Sequence, residues 1–448
     1  MKFDLSKEYI KNIQSLIEKQ SVAKLKEELT EIHAADIAEI YEAIELEQAY
    51  FLHNIIEDDK GADILMELED YLRDQLLDNL SPQEIAEEVL ENLESDDAAD
   101  IVSELPQEVK EEVLSHIEDE EHASDIVDLL NYPEDTAGGL MAKELIKVNK
   151  KWTVMHCVRE MRKQAENVSF VYTIYVVDDN DILVGTLSLK KLLLTDAKKI
   201  ISEIYKEDII MVNAIEDNEE VGNIMNKYDL IVLPVVNDLG QLIGRITVDD
   251  VMEVIKEEAE KDYQMASGIS EDVESSDSIW TLTRARLPWL LIGMIGGLLG
   301  AKVIGVFDIE KNYQMAFFIP LIAAMGGNVG VQSAAIVVQG LAGGSIEFNG
   351  TFKRLIKELG VALVNGIICS SIIYIATFLL GYGVWLSATV SIALLAVIIF
   401  AALFGTFVPL TLDKYKIDPA LATGPFITTV NDVLGLFIYF LIGQIILS

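Results

Sequence analysis

The spacing of apolar and polar positions changes character twice along the 448 residues. Over residues 1–131 apolar positions recur at helical spacing in short patches. Four of these share one pattern: Ala35-Asp36-Ile37, Ala62-Asp63-Ile64, Ala99-Asp100-Ile101 and Ser124-Asp125-Ile126. Turn and cap signals such as Ser81-Pro82 and Leu105-Pro106 separate the patches, which predicts an irregular stack of short helices. Over 141–255 the segment YVVDDNDILVGTLSLKKLL from Tyr175 recurs as PVVNDLGQLIGRITVDDVM from Pro234, at an offset of 59. Each copy reads as strand, turn, strand and helix start, preceded by a helical stretch (154–164 and 219–227), and so predicts a pair of small α/β modules. Beyond these lie five long apolar stretches, at 287–307, 313–342, 359–380, 384–412 and 423–447. About 20 apolar residues carry a helix across a bilayer, so all five predict membrane spans.

Charge follows the same divisions. Residues 1–140 carry a net −31, residues 141–280 a net −11, and residues 281–448 a net +2. The acidity belongs to the part outside the membrane, where it disfavours nucleic acid and attracts divalent cations. Cys157 and Cys369 are too far apart in sequence to suggest a disulfide framework or a thiolate metal site. The opening MKFDLSKEYIKNIQ has no apolar core of the kind a signal peptide needs. Arg284 and Arg286 precede the first span, Lys353, Arg354 and Lys357 lie between the second and third, and Lys414 and Lys416 between the fourth and fifth. These flanks alternate onto one face, against Lys302 and Lys311 on the other. That places residues 1–280 in the cytoplasm and the C-terminus outside.

Ionisable residues are rare within the spans, which singles out Asp432 in the fifth, in the run ITTVNDVLG. A carboxylate at that depth costs several kcal/mol unless it faces water, a cation or a partner group. The middle of span two reads IPLIAAMGGNVGVQSAA, where small residues and amides allow close backbone approach and leave carbonyl oxygens available. Pro409 and Pro425 could free further carbonyls, and Gly293/Gly297 and Gly340/Gly344 have the spacing of close helix packing. Oxygen donors without His or Cys point to a hard cation, Mg²⁺ or Ca²⁺. Mg²⁺ sheds water reluctantly, so a carboxylate with carbonyls suits an ion that keeps its hydration shell.

The paired modules resemble tandem CBS domains, a family in which Gly-x-x-(Ser/Thr)-x-x-Asp can hold the ribose of an adenine nucleotide. The second copy keeps that motif as Gly244 to Thr247 to Asp250, whereas the first runs Ser188-Leu189-Lys190-Lys191 and lacks the Asp. The resemblance therefore implies at most one ATP site, at Thr247 and Asp250; a helix-capping role for Thr247 is the alternative.

The whole order of segments, with GGNVGVQS in span two and Asp418-Pro419-Ala420 and Asp432-x-x-Gly435 around span five, resembles the MgtE family of bacterial Mg²⁺ channels. The resemblance implies four parts: an all-α acidic N-terminal domain (1–131), an α/β tandem CBS pair (132–256), a plug-like connector helix and linker (257–283), and an all-α transmembrane domain of five helices (284–448). It further implies a homodimer in the inner membrane, with a pore lined by spans two and five. Asp432 with Gly327, Asn328 and Thr428 would form the ion site. Asp96, Asp100, Asp217, Glu219, Asp229, Asp250, Glu253, Glu258 and Asp262 would bind the Mg²⁺ that closes the pore. The chain departs from the family pattern at Val331 and Gly424, where a polar Asn is expected, at Ala335 in place of Thr, and at Lys261 in place of an acid. A secondary transporter of another divalent cation (Co²⁺ or Mn²⁺) and a non-transporting membrane sensor are the competing readings. An enzyme is not expected, since neither HExxH nor a membrane-embedded His is present.

Overall fold

In a computed structural model of the chain, residues 5–165, 168, 170–270, 273, 277–307, 309–342, 351–422 and 424–447 are described. Gly344, Thr423 and the linker acids Glu271, Asp272 and Glu274 lie outside them. The described residues fall into two units, 1–256 and 257–448.

The repeated patches become helix faces. The chain begins α1 (Lys7–Glu18), α2 (Val22–Leu29), α3 (Ala34–Glu42), α4 (Leu46–His53), α5 (Asp58–Met66), α6 (Asp70–Leu77) and α7 (Pro82–Glu84). After one π-helical turn, Ile85–Val89, follow α8 (Ser95–Glu104), α9 (Gln107–His116) and α10 (Glu120–Leu129). The four equivalent isoleucines sit on α3, α5, α8 and α10, and Ile37, Ile64, Ile101 and Ile126 are all essentially inaccessible to solvent. Each stabilises the stack by about 1.5–3 kcal/mol through burial. Two helix starts in this stack are fixed locally: Ser81 and Glu84 form a reciprocal capping box at α7, and Asp119 accepts from Glu121 N and His122 N at α10.

The offset of 59 is visible in the strand pairing. In the first repeat β1 (Lys147–Asn149) runs parallel to β2 (Ile174–Val177), and β2 antiparallel to β3 (Leu183–Leu187), with α11 (Val154–Gln164) before β2 and α12 (Leu189–Leu193) after β3. In the second, β4 (Val212–Asn213), β5 (Val232–Val236) and β6 (Leu242–Thr247) repeat that order, with α13 (Asn218–Tyr228) between β4 and β5. Val176 pairs with Gly185 and Val235 with Gly244, and both hairpins carry an irregularity one residue later. The second repeat runs on into α14 (Val248–Ala266).

Among the described residues five helices are long and apolar enough to cross a membrane: α15 (Ile279–Val306), α16 (Ile319–Ala342), α17 (Thr351–Leu379), α18 (Val384–Lys414) and α19 (Gly424–Leu447). α18 is the most enclosed, packing against α16, α17 and α19, while α15 lies against α19. Tyr439 of α19 is fully buried and its hydroxyl donates to the Met315 carbonyl at 2.8 Å. The expected Gly293/Gly297 contact is not made within the chain, where nothing lies within 4 Å of a Cβ built at either. The close approach is one turn out of phase. A Cβ on Gly296 would sit 2.0 Å from Thr429 Cγ2, and one on Gly300 3.7 Å from Leu436 Cδ1.

Candidate functional site

The glycines of span two form a seam with α19. A Cβ added to Gly327 would lie 3.5 Å from Thr428 Cγ2 and 4.0 Å from Asp432 Oδ1, so the bare backbone of α16 faces the carboxylate. Asn328, the next residue, is exposed. Gly330, one turn on, is squeezed from two sides: its Cβ would fall 2.0 Å from Asn431 Nδ2, and a Cβ on Gly405 of α18 would fall 2.3 Å from the Gly330 carbonyl oxygen. The backbone stays helical throughout this seam. α16 is helical through GGNVG, α18 continues through Pro409, and Pro425 lies in the first turn of α19, where Thr428 Oγ1 donates to its carbonyl at 3.1 Å. What the glycines supply is room.

Two polar groups of this region escaped the sequence reading. Asn431 is 1% exposed, and neither of its amide atoms has a hydrogen-bond partner among the described residues. Glu358 of α17 accepts from the buried Ser333 hydroxyl of α16 at 2.6 Å. Glu358 stood just outside the apolar stretch, and Asn431 was overshadowed by its charged neighbour.

In the first unit, acids of α8 meet acids of α14. Burial, with the charges of Asp97, Asp250, Glu94 and Glu144, pushes Asp96 well above the usual carboxylate range. Burial together with Asp250, Asp100, Glu94 and Glu253 pushes Asp97 up to about 7. Asp100 is likewise pushed up to about 7, by the surrounding protein and then by Glu134, Glu104 and Glu253, although its place on the exposed side of α8 lets solvent screen it. Asp250 and Glu253 are raised as well, burial being the main cause. Sequence reasoning found Asp96, Asp100, Asp250 and Glu253 but missed Asp97, which the repeated pattern does not include. Among the described residues no three His, Cys, Asp or Glu side chains converge closely enough to hold a metal ion. The arrangement is one of repulsion that Arg73 and Arg245 offset only in part, and a bridging cation would relieve the rest.

The start of α8 is docked on the segment that leads into β1 and on β6 of the second repeat. Ser95 donates through both N (3.1 Å) and Oγ (2.8 Å) to the Glu144 carboxylate. His122 lies 3.8 Å from the same carboxylate and is raised by it. Glu94 holds Arg245 Nη2 at 2.7 Å. Arg245 belongs to β6, inside the candidate nucleotide motif, and lines a cavity of about 750 Å³ that also reaches Tyr172, Thr247 and Asp250. Thr247 and Asp250 are joined, Asp250 Oδ2 accepting from Thr247 N at 2.9 Å and Oγ1 at 2.7 Å, so both groups of the motif are turned to one another.

The remaining expected control residues have local roles. Asp217 caps α13 by accepting from Glu219 N at 3.0 Å, and Asp229 ends α13 in the left-handed conformation at φ 51°. Glu258 pairs with Lys261 at 2.9 Å, so the lysine at an expected acid position answers its neighbour's charge. Asp262 is raised by partial burial and by Asp418. At the end of this connector a Cβ on Gly268 would lie 2.5 Å from Pro425 Cγ, and one on Gly424 2.3 Å from the Ala266 carbonyl oxygen. Gly424 has φ +39°, so close approach and backbone together account for glycine where Asn was expected.

Residues 32–135 match the MgtE intracellular N domain, 137–197 and 201–257 the CBS domain, and 319–442 the divalent cation transporter family MgtE. The magnesium transporter MgtE of Thermus thermophilus is 31% identical over 454 residues, covering 98% of each chain. That of Bacillus subtilis is 32% identical over 314 residues, 70% of each. The solved soluble part of a magnesium transporter covers 56% of this chain and 98% of its own, with a TM-score of 0.51 at 28% identity. The cytosolic domain of the Mg²⁺ channel MgtE in complex with ATP covers 55% and 99%, with a TM-score of 0.51 at 32% identity. With a helical intracellular domain, a CBS pair and five membrane-length helices matched along its length, the chain belongs to the MgtE family of magnesium transporters: a multi-pass membrane protein with cytosolic N-terminal domains, and a transporter, not an enzyme.

Proposed function

We propose that this transporter is a channel that passes hydrated Mg²⁺ through a pore on the axis of a homodimer and is closed by Mg²⁺ bound to its cytosolic acids, with the C-terminus outside. The observation that carries the reading is the opposition of Asp432 to the bare backbone of Gly327. A glycine face leaves space for an ion with its water, and a carboxylate attracts a divalent cation through that water without stripping it. A two-fold axis would bring two copies of Asp432, with Gly327, Asn328 and Thr428, around one ion. Control would rest on Asp96, Asp100, Asp217, Glu219, Asp229, Asp250, Glu253, Glu258 and Asp262. Without Mg²⁺ the raised carboxylates repel; with it the repulsion is removed and the connector is held against the start of α19. Such coupling requires that the ion bind the closed arrangement more tightly.

A nucleotide site at Thr247 and Asp250, with ATP as its ligand, belongs to the same proposal. It is supported by the motif, by the adjoining cavity and by the ATP carried by the similar cytosolic domain. Occupancy would require Asp250 to turn from Thr247 toward a ribose.

Patch-clamp recording of proteoliposomes tests the channel. Ohmic Mg²⁺ current that persists without a pH gradient and declines as Mg²⁺ rises on the cytosolic side is expected. Transport that runs only with a proton gradient would overturn the reading in favour of a secondary transporter.

A further inference from the structure

Arg245 is built into the molecule in a way the Gly-x-x-Thr-x-x-Asp motif does not ask for. The equivalent position in the first repeat, 59 residues earlier, is Thr186, just as the equivalent of Asp250 is Lys191. The second repeat alone therefore has both the acid and the arginine.

Arg245 is 3% exposed, and its guanidinium is almost fully placed by the protein. Its Nη2 donates to Glu94 at 2.7 Å, its Nε donates to the Glu144 backbone carbonyl, and its Cζ stands 5.4 Å from the centre of the Tyr172 ring. Nη1 has no hydrogen-bond partner among the described residues, although it is buried and the side chain lines the cavity that reaches Thr247 and Asp250. A buried guanidinium nitrogen left without an acceptor is costly, and an anionic oxygen is the group that answers it best. The other basic side chains of the cavity wall, Lys143 and His122, are taken by Asp128 and Glu144. Carboxylates dominate the rest of the wall, so a phosphate has one favourable place to go. Since Glu94 and the vacant direction use different nitrogens, an oxyanion at Nη1 leaves the ion pair intact.

We propose that Arg245 is the phosphate-recognising residue of the nucleotide cavity, positioned by Glu94 so that the helical domain forms part of the nucleotide site. The inference rests on the nucleotide reading above. It makes phosphate recognition depend on a side chain outside the CBS pair, on the residue immediately before α8.

Calorimetric titration of the full-length protein in detergent, at fixed Mg²⁺, with ATP and with adenosine tests it. Arg245→Gln is expected to weaken ATP about tenfold or more while shifting adenosine less than about twofold, the size of one charge-assisted hydrogen bond. Glu94→Gln, which keeps the shape of the side chain, is expected to weaken ATP in the same selective way by several-fold. Equal losses for ATP and adenosine would mean that Arg245 only supports the fold, and an unchanged ATP affinity in either variant would also overturn the proposal. If the wild-type protein binds neither compound, the nucleotide reading itself fails. Should Arg245→Gln not fold, the Glu94→Gln titration decides alone.

Discussion

The Ala266 carbonyl oxygen lies where a side chain on Gly424 would have to begin, 2.3 Å from the ideal Cβ position. The end of the connector helix and the start of span five are thus matched at one backbone contact that only glycine permits. Gly424→Ala is expected to disturb it twice, through the carbonyl and through a positive φ that costs a non-glycine residue about 1 kcal/mol. On the proposed mechanism the variant needs several-fold more Mg²⁺ to silence its current. An inhibition curve that superimposes on the wild type's would separate this contact from gating.

Asp432→Asn keeps the shape of the side chain but removes the charge opposite Gly327. Uptake of Mg²⁺ into proteoliposomes should fall by about tenfold or more, as expected for the loss of a charge interaction worth more than 1.4 kcal/mol. Flux retained within twofold would move the ion path elsewhere.

Gly330→Ala places a methyl group 2.0 Å from Asn431 Nδ2 and 2.7 Å from Ile427 Cγ2. Overpacking of this kind costs about 1–3 kcal/mol, so a lower thermal midpoint in detergent is expected. The double variant with Asn431→Ala should recover part of that loss. Additive losses would show that the two residues do not share the space.

The seam of α8 and α14 predicts a pH dependence. Asp97 is pushed up to about 7 in the folded protein and returns to about 4 when unfolded, so the folded state binds the extra proton between those values. Stability in the absence of Mg²⁺ should therefore decline as pH rises from about 4 to about 7, then level off. Above that window the carboxylate is charged and a divalent cation replaces the proton. The thermal shift produced by added Mg²⁺ should accordingly grow from pH 5 to pH 8 and shrink in Asp97→Asn. A shift independent of pH would show that Asp97 takes no part in binding Mg²⁺.

The order of segments was readable because each uses a different period: helical patches in the first part, an exact offset in the second, long apolar runs in the third. Asp432 stood out because charge is rare at that depth. Asp97 could not be found from the pattern, since it lies beside the repeated Ala-Asp-Ile motif, and its importance comes from α14, some 150 residues away in sequence. Arg245 reads as an ordinary strand residue until Glu94 is brought to it across the seam. Glycine phase was the opposite error: Gly293 and Gly297 have the same spacing as Gly296 and Gly300, and only the packing of α19 chooses between them.

The four buried isoleucines have a consequence for the acids beside them. In every patch the carboxylate immediately precedes the anchor, so each aspartate is carried to the border of the core by the residue that secures its helix. Asp63, Asp100 and Asp125 are all raised there, with burial or the surrounding protein as the first cause. The charge cannot drift away from the packing that makes it uncomfortable. A domain assembled in this way works as a ruler, setting out negative charge at intervals fixed by its own hydrophobic core, and whatever ion it meets meets that spacing.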